Sequence, residues 1–272
     1  MKLSTTTLGC LQWDLPTILE RLKEYGYDGV DFRGYKDELQ IWKHPEFSSD
    51  IEKSAAMIRD SGLVVSCISS GIRLVMTDPK EIEAMDEELE RTAEICAALD
   101  CGMIRVFGGR FDSEKMDRVQ AREIAAESAG KHIERARKVA SVDIAIETHD
   151  HWTSSEHIVT LLEAINHEHV KCLWDVKHPY WVADEAPRLT WERLQKWTIN
   201  THWKDATRHP KDGGLVPTGD GVVPLEDVFY IMKTSDYDGW YTLEWEKKWQ
   251  PDIAEPEVAF PRFVEFMRGL KA

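Results

Sequence analysis

Strand-like and helix-like segments alternate along the whole chain, and this alternation restricts the folds open to it. Amphipathic stretches, such as the one that carries Leu15, Ile18 and Leu22 at helical spacing, separate short runs rich in β-branched and aromatic residues. Such alternation favours a parallel sheet covered by helices. Eight runs are predicted as strands, at roughly 3–8, 28–33, 63–69, 103–107, 142–147, 170–175, 197–203 and 239–245.

The number of repeats predicts how the sheet is arranged. Eight repeats in 272 residues give about 34 residues each, which suits a strand, a helix and their loops. We therefore predict a single (β/α)8 TIM barrel domain over residues 1–272. An open doubly wound sheet is the alternative. It usually has a glycine-rich turn after the first strand, and the segment at 8–11 lacks that fingerprint.

Charge and cysteine content limit the partners and the compartment. A net charge of −15 argues against nucleic acid, because binding to a phosphate backbone depends on Lys and Arg; a small neutral or polar ligand suits it better. Five scattered cysteines without a C-x-x-C pair are typical of a reduced protein. Residues 1–8 read as a strand rather than a signal peptide, and no run approaches the ~18 apolar residues of a membrane span. We expect a cytoplasmic protein that binds neither nucleic acid nor membranes.

Metal-type ligands stand at the ends of the last four predicted strands. In a barrel the carboxyl ends of consecutive strands meet at one mouth, so four such side chains can face one ion. Three carboxylates and an imidazole suit Mn²⁺ or Mg²⁺, and Co²⁺ or Zn²⁺ also fit. Each residue alone has an ordinary alternative, such as a helix cap or a hydrogen-bonded core histidine, but four at corresponding positions favour a metal site. The predicted ligands are Glu147, Asp175, His202 and Glu244.

The same segments carry a family resemblance. The order E-x-H at 147–149, D-x-x-H at 175–178, H-x-K-D at 202–205 and L-E-x-E at 243–246 resembles that of the xylose isomerase-like barrels. That group includes sugar isomerases, ketose 3-epimerases, inosose dehydratases and a branch of apurinic endonucleases. Its members often pair through barrel helices and loops, which leaves a homo-oligomer open for this chain.

The resemblance implies a chemistry. In ketose 3-epimerases the residues matching Glu147 and Glu244 are both metal ligands and proton-transfer groups. One carboxylate removes a proton beside a substrate carbonyl to give a metal-stabilised enediolate, and the other returns a proton. Return with inverted configuration is epimerisation, return to the adjacent carbon is isomerisation, and loss of a β-hydroxyl is dehydration. The expected function is a metal-dependent sugar isomerase or epimerase, with an inosose dehydratase-type lyase acting on a keto-polyol as the alternative.

Further residues are expected to bind the substrate. The resemblance places His178 and Arg208 beside the substrate oxygens. His149, two residues beyond the first catalytic glutamate, could orient a ligand or the substrate. Lys204 could be ion-paired beside the metal ligands, bind substrate or neutralise a developing oxyanion. Tryptophan faces pack against sugar C–H surfaces, so Trp13 is a candidate.

Three other tryptophans fall in or just after predicted strand ends. They are Trp152, Trp181 and Trp245, and about two of these four indoles, counting Trp13, are expected in the pocket. The others are expected in the core.

Departures from the family pattern bear on which substrate and which reaction the resemblance implies. The endonucleases carry extra histidines after strands three and four, where this chain has segments 69–71 (SSG) and 108–110 (GGR), which argues against a DNA substrate. The epimerases carry another glutamate where Thr153 stands, so a dehydratase stays open. A non-enzymatic sugar- or metal-binding barrel is the third hypothesis. Loss of a proton-transfer carboxylate would mark it, and both are retained.

Overall fold

The computed structural model describes residues 1–207 and 214–270. Its eight long strands overlap the predicted segments. Two further strands of two residues each, which pair with each other in antiparallel orientation, follow the seventh long strand. The strands are β1 (Lys2–Thr5), β2 (Gly29–Phe32), β3 (Val64–Arg73), β4 (Met103–Phe107), β5 (Asp143–Glu147), β6 (Val170–Asp175), β7 (Thr198–Trp203), β8 (Asp205–Ala206), β9 (Leu215–Val216) and β10 (Trp240–Leu243).

Helices separate the long strands, and their ends follow from local sequence. α1 begins after Asp14, whose carboxylate accepts from the Thr17 N–H at 3.0 Å, and it ends at Gly26 in the left-handed region. α4 begins with a capping box formed by Asp117 and Gln120. The helices are α1 (Leu15–Tyr25), α2 (Ile51–Ser61), α3 (Pro79–Leu99), α4 (Arg118–Ala136), α5 (Ser155–Ile165), α6 (Lys177–Val182), α7 (Pro187–Leu194), α8 (Leu225–Lys233) and α9 (Pro256–Gly269).

The long strands form one eight-stranded sheet in the order β1-β10-β7-β6-β5-β4-β3-β2. A parallel bridge between Thr6 and Asp31 joins the two ends of this order, so the sheet nearly closes on itself. β4 and β5 run parallel in unbroken register, from Met103 opposite Asp143. The predicted (β/α)8 barrel is therefore confirmed.

Backbone contacts divide the chain into two compact units. The first comprises Met1–Ser66 with Thr201–Ala272. In its core, Tyr27 donates to the Phe260 carbonyl at 2.9 Å and stacks on Phe263, with ring centroids 6.3 Å apart. These contacts attach α9 to the segment that follows α1.

The second unit comprises Cys67–Asn200 and contains β4, β5 and β6. In its core, Trp174 stacks on Trp191 with ring centroids 5.9 Å apart. A Cβ on Gly108 would lie 2.3 Å from Trp152, so the residue after β4 has room only for glycine. The end of β4 is thus fixed against the turn after β5.

Three predicted strand boundaries were wrong by more than one residue or misplaced a site residue. The third strand continues to Arg73 instead of ending at residue 69. The first strand ends at Thr5 rather than at residue 8, because Thr7 enters a 3₁₀ turn, where its hydroxyl donates to the Gly34 carbonyl and accepts from the Arg33 N–H. Glu244 follows β10 instead of lying in it, although its N–H still donates to the Trp203 carbonyl at 2.9 Å.

The assignment of residues 1–272 to a single domain stays a prediction. None of the helices in the described part of the chain has the length and apolar content needed to cross a bilayer.

Candidate metal centre

The structure brings the four predicted metal ligands together. All four side chains are buried. Four ligand atoms, one from each side chain, lie within 4.8 Å of one another in the group formed by Glu147, Asp175, His202 and Glu244. Three carboxylates and one imidazole at this spacing could bind a metal ion.

The imidazole of His202 lies between two carboxylates. Its Nδ1 is 3.3 Å from Oε1 of Glu244, and its Nε2 is 3.3 Å from Oδ2 of Asp31. His202 and Asp31 are fully buried. The two ring nitrogens therefore have distinct partners, and Nδ1 is the one on the side of the ligand group.

Lys204 holds the carboxylate of Glu244 from the other side. Its ammonium, 1% exposed, donates to Oε2 of Glu244 and to Oε1 of Glu246, both at 2.5 Å. Burial by itself raises the pKa of Glu244, but Lys204 and His202 outweigh it and hold this pKa well below its usual value. Glu244 is accordingly an ionised carboxylate.

Asp175 caps a helix and also belongs to the ligand group. Its Oδ1 accepts from the N–H groups of Lys177, at 2.9 Å, and of His178, at 3.0 Å, so it caps the start of α6. Its N–H donates to the Thr148 hydroxyl at 2.9 Å, which ties the end of β6 to the residue after β5. The same side chain belongs to the ligand group, so capping and metal ligation are compatible here.

His178 is positioned by the same two strand ends. Its Nδ1 donates to the Thr148 carbonyl at 2.9 Å and lies 3.5 Å from Oδ2 of Asp175. Donation from Nδ1 makes Nε2 the acceptor nitrogen of the neutral ring. The side chain is 17% exposed.

Glu147 lies beside a buried cation. Nε of Arg105 is 3.2 Å from Oε2 of Glu147, and both side chains are 1% exposed. The guanidinium also donates to the Ser70 carbonyl at 2.8 Å and lies 4.0 Å from the ring centroid of Phe107. Arg105 is therefore fixed by a carboxylate, a carbonyl and an aromatic face.

His149 contacts groups on both sides of its ring. It lies 4.6 Å from the Phe107 ring and 5.0 Å from the His178 ring, measured between centroids, and its Nδ1 is 3.2 Å from Asp150. Burial raises the pKa of Asp150, but His149 and Arg110 outweigh this and lower it to about 2. The turn after β5 is thus an ordered, charged segment.

Trp13 lies on the segment that follows β1. Its ring packs edge-on against Phe260 at 5.7 Å, and it lines a cavity of about 360 Å³ with Cys10, Lys247 and Pro256. Its predicted contact with substrate stays a prediction. Arg208, also predicted to bind substrate, lies outside the described residues.

Two of the other three tryptophans are buried in the core, as expected for part of this group, and the presence of any tryptophan in a substrate pocket stays a prediction. Trp152 and Trp245 are buried at 0% and 1% exposure and serve the core, and the Trp245 indole donates to the Ala254 carbonyl at 2.9 Å. Trp181 is half-buried, with the Lys177 ammonium over its ring.

Sequence reasoning missed Asp31 and Arg105 as partners of the ligand group. Each occupies the interior of a short apolar strand, GVDF in β2 and MIRVF in β4. Charged residues are almost never fully buried unless they are paired. That rule, applied to the predicted strands, would have marked both residues.

The sequence matches the family model described as xylose isomerase-like TIM barrel over residues 19–269. This chain belongs to that family. Members and relatives of it are sugar-modifying enzymes, among them epimerases and dehydratases.

Curated relatives of this chain include inosose dehydratases. Inosose dehydratase 2 of a Bacillus cereus strain is 27% identical over 135 residues, which is 43% of this chain and 44% of the relative. Inosose dehydratase of Bacillus thuringiensis (strain Al Hakam) is 38% identical over 58 residues, which is 21% of this chain and 19% of the relative. The matched stretches thus cover less than half the length of these relatives.

Solved structures match over almost the full chain. The IolI protein with a bound zinc atom has a TM-score of 0.82 and 17% identity, covering 100% of both chains. D-psicose 3-epimerase with D-tagatose from Clostridium cellulolyticum H10 has a TM-score of 0.75 and 16% identity, covering 100% of this chain and 93% of the epimerase. At such identities the likeness establishes the fold.

Proposed function

We propose that this protein is a cytoplasmic enzyme that requires one divalent metal ion, Mn²⁺ or Mg²⁺ in the first place, with Co²⁺ or Zn²⁺ as the other candidates. It moves a proton beside the carbonyl of a small sugar or keto-polyol and works as an isomerase or epimerase. The single observation that carries the proposal is the group of four ligand atoms within 4.8 Å of one another. Nucleic acid and membranes are not proposed as partners.

The donor set fits a divalent cation. Three buried carboxylates in one group repel each other unless positive charge compensates them. Arg105 lies 3.2 Å from Glu147, and Lys204 donates to Glu244 but shares its charge with Glu246. A divalent ion would supply the remaining compensation, and a mixed oxygen and nitrogen set suits the metals named above.

Glu147 and Glu244 are proposed as the two proton-transfer groups. When bound, the ion would polarise the substrate carbonyl and acidify the neighbouring C–H bond. Glu147 would take up the proton from carbon as a carboxylate, stabilised in that form by the Arg105 guanidinium. Glu244, which is ionised in the resting protein, would first take up a proton from solvent and then give that proton to the enediolate, in place of the one that Glu147 removed.

The residues around these carboxylates are proposed to bind the substrate oxygens. His178 presents Nε2 as an acceptor for a substrate hydroxyl, because its Nδ1 donates to a backbone carbonyl. His149 packs against His178 and would orient the same end of the substrate. Lys204 is committed to two carboxylates at 2.5 Å, so we assign it to holding Glu244 in place and neutralising charge.

A lyase of the inosose dehydratase type is the second candidate. The match to curated inosose dehydratases supports it. The structure adds a local observation, since Thr153, at the position of the additional epimerase glutamate, donates its hydroxyl to the Asp150 carbonyl at 2.9 Å. This residue serves the turn after β5, which leaves proton transfer to the two glutamates in either reaction.

Deuterium exchange tests the proposal. The Mn²⁺-loaded protein is incubated with a panel of ketoses and inososes in D₂O, and products are followed by NMR and ultraviolet absorbance. Deuterium at carbon in an isomerised or epimerised sugar supports the proposed function. Enone absorbance from an inosose would transfer the assignment to the lyase. If neither signal appears with any compound of the panel, and the wild type gives the same result as Glu147→Gln, the protein would be a binding protein and not an enzyme.

A further inference from the structure

Asp31 contacts Nε2 of His202, whereas the other ring nitrogen, Nδ1, faces Glu244 of the ligand group. Its Oδ2 is 3.3 Å from Nε2 of His202, within hydrogen-bonding geometry, while Nδ1 of the same ring is 3.3 Å from Glu244. Both Asp31 and His202 are fully buried. β2 thus supplies a carboxylate to a histidine of β7.

The ring needs a defined tautomer to act as a ligand. A neutral imidazole coordinates a metal through its unprotonated nitrogen, so ligation through Nδ1 requires the proton on Nε2. A carboxylate at Nε2 accepts this proton in a hydrogen bond and favours that tautomer. The alternative tautomer would point the Nδ1 proton at Glu244 and block coordination.

Burial adds a reason to regard the contact as functional. A carboxylate with no exposure costs free energy to desolvate, and it is retained only where charges or donors compensate it. Val30 and Phe32 are fully buried and point to the opposite face of β2, so Asp31 is the charged residue of this strand on the face that meets His202. The polar choice at this position is explained by the ring it faces.

We propose that Asp31 is a positioning residue that holds His202 as the Nε2–H tautomer and presents Nδ1 to the metal ion. This inference rests on the proposed metal site. Asp31 would act through His202, the ring that its carboxylate contacts. The histidine ligand would therefore be oriented before the ion arrives.

The tautomer can be measured on the unaltered, metal-free protein. Long-range ¹H–¹⁵N correlation spectra give the protonation of both ring nitrogens, and His202→Gln identifies the signals of this histidine. The proposal expects His202 to carry a proton on Nε2 in the metal-free protein, and to keep the Nε2 proton while Nδ1 carries none once Mg²⁺ is added. A neutral His202 protonated on Nδ1 would overturn it, and this readout needs no substitution at Asp31.

Metal affinity provides the second readout. Titration of Mn²⁺ into Asp31→Ala should show binding weakened by about 10- to 100-fold, the usual consequence of losing a partner of a ligating histidine. Asp31→Asn keeps an acceptor oxygen without the charge and should fall between Asp31→Ala and the wild type. Circular dichroism and thermal unfolding would show that the variants are folded.

Asp143→Asn is the matched control. Asp143 at the start of β5 pairs with Nδ1 of His169 at 2.8 Å, and both side chains are about 30% exposed. This second Asp–His pair should leave Mn²⁺ affinity within twofold of the wild type. Folded Asp31 variants that bind Mn²⁺ like the wild type would overturn the proposal. If the wild type binds no metal, the proposed function fails. The proton on Nε2 of His202 in the metal-free protein still tests whether Asp31 orients this ring.

Discussion

The two glutamates proposed for proton transfer lie beside cations of different kinds. Glu147 faces Arg105, whose guanidinium is fixed by the Ser70 carbonyl and the Phe107 ring. Glu244 faces Lys204, a compact charge that is shared with Glu246. Each cation is 1% exposed, so neither pair is screened by water.

Because these two cations differ in geometry, the two carboxylates have different environments. A guanidinium is planar and delocalised, and its several donors can be bound at once, so Arg105 has one fixed orientation. An ammonium is a point charge on a flexible stem, so Lys204 depends on its two carboxylates for its position. The environment of Glu147 therefore depends on the fixed orientation of the Arg105 guanidinium. That of Glu244 depends on how the charge of Lys204 is divided between two carboxylates.

Removing the charge of either glutamate should have the largest effect. Glu147→Gln and Glu244→Gln delete a proton-transfer group and a metal ligand, so kcat should fall by at least about 10²–10⁴-fold with the fold intact. Steady-state kinetics with the substrate found in D₂O, together with circular dichroism, measure both. Glu168→Gln, at a side chain 86% exposed, is the control and should match the wild type. Full activity of Glu147→Gln would remove this residue from the mechanism.

Lys204→Met should be the most destabilising change of a cation. It leaves Glu244 and Glu246 without their shared positive charge, and breaking a buried pair in this way typically costs about 3–5 kcal/mol. Urea denaturation of the metal-free protein gives the free energy of unfolding. A loss below about 1 kcal/mol, the range of surface pairs, would contradict a charge-set environment for Glu244.

Arg105→Lys should have an intermediate effect. Lysine keeps the charge but cannot pair with Glu147, donate to the Ser70 carbonyl and stack on Phe107 together. Loss of one charged hydrogen bond predicts about 1.5–3 kcal/mol lower stability in urea denaturation. If this variant is as stable as the wild type, a positive charge beside Glu147 is enough, and the orientation of the guanidinium does not matter. Arg105 and Lys204 would then act in the same way.

Glu246→Gln should have the smallest effect. Glu246 is 23% exposed, and the substitution leaves the pair between Lys204 and Glu244 in place. We expect a change in unfolding free energy within about 1 kcal/mol, as for a partly exposed pair, and unchanged Mn²⁺ affinity by titration. A loss as large as that of Lys204→Met would mean that Glu246, rather than Glu244, is the main partner of the lysine.

The strands and four members of the site were predictable from the sequence because periodicity and strand-end chemistry are local signals. The predicted strand at 103–107 agrees with Met103–Phe107, and the predicted strand at 170–175 agrees with Val170–Asp175. The ligands follow from these strands, because parallel strands deliver their last residues to the same end.

The partners of the ligands were not predictable in the same way. Asp31 and Arg105 lie inside strands, and pairing between distant segments decides which groups they meet. Lys204 was expected at the site, but its commitment to Glu246 depends on the path of the chain beyond β10, which has no sequence signal. Long-range charge pairing is thus what the structure adds.

Anomalous diffraction from Mn²⁺-soaked crystals would decide whether one ion is held by this group. We predict one peak per chain, with an atom of each of Glu147, Asp175, His202 and Glu244 within about 2.0–2.6 Å of it. A crystal that shows no such peak, or shows it away from these four side chains, would contradict the metal site and the enzymatic role built on it.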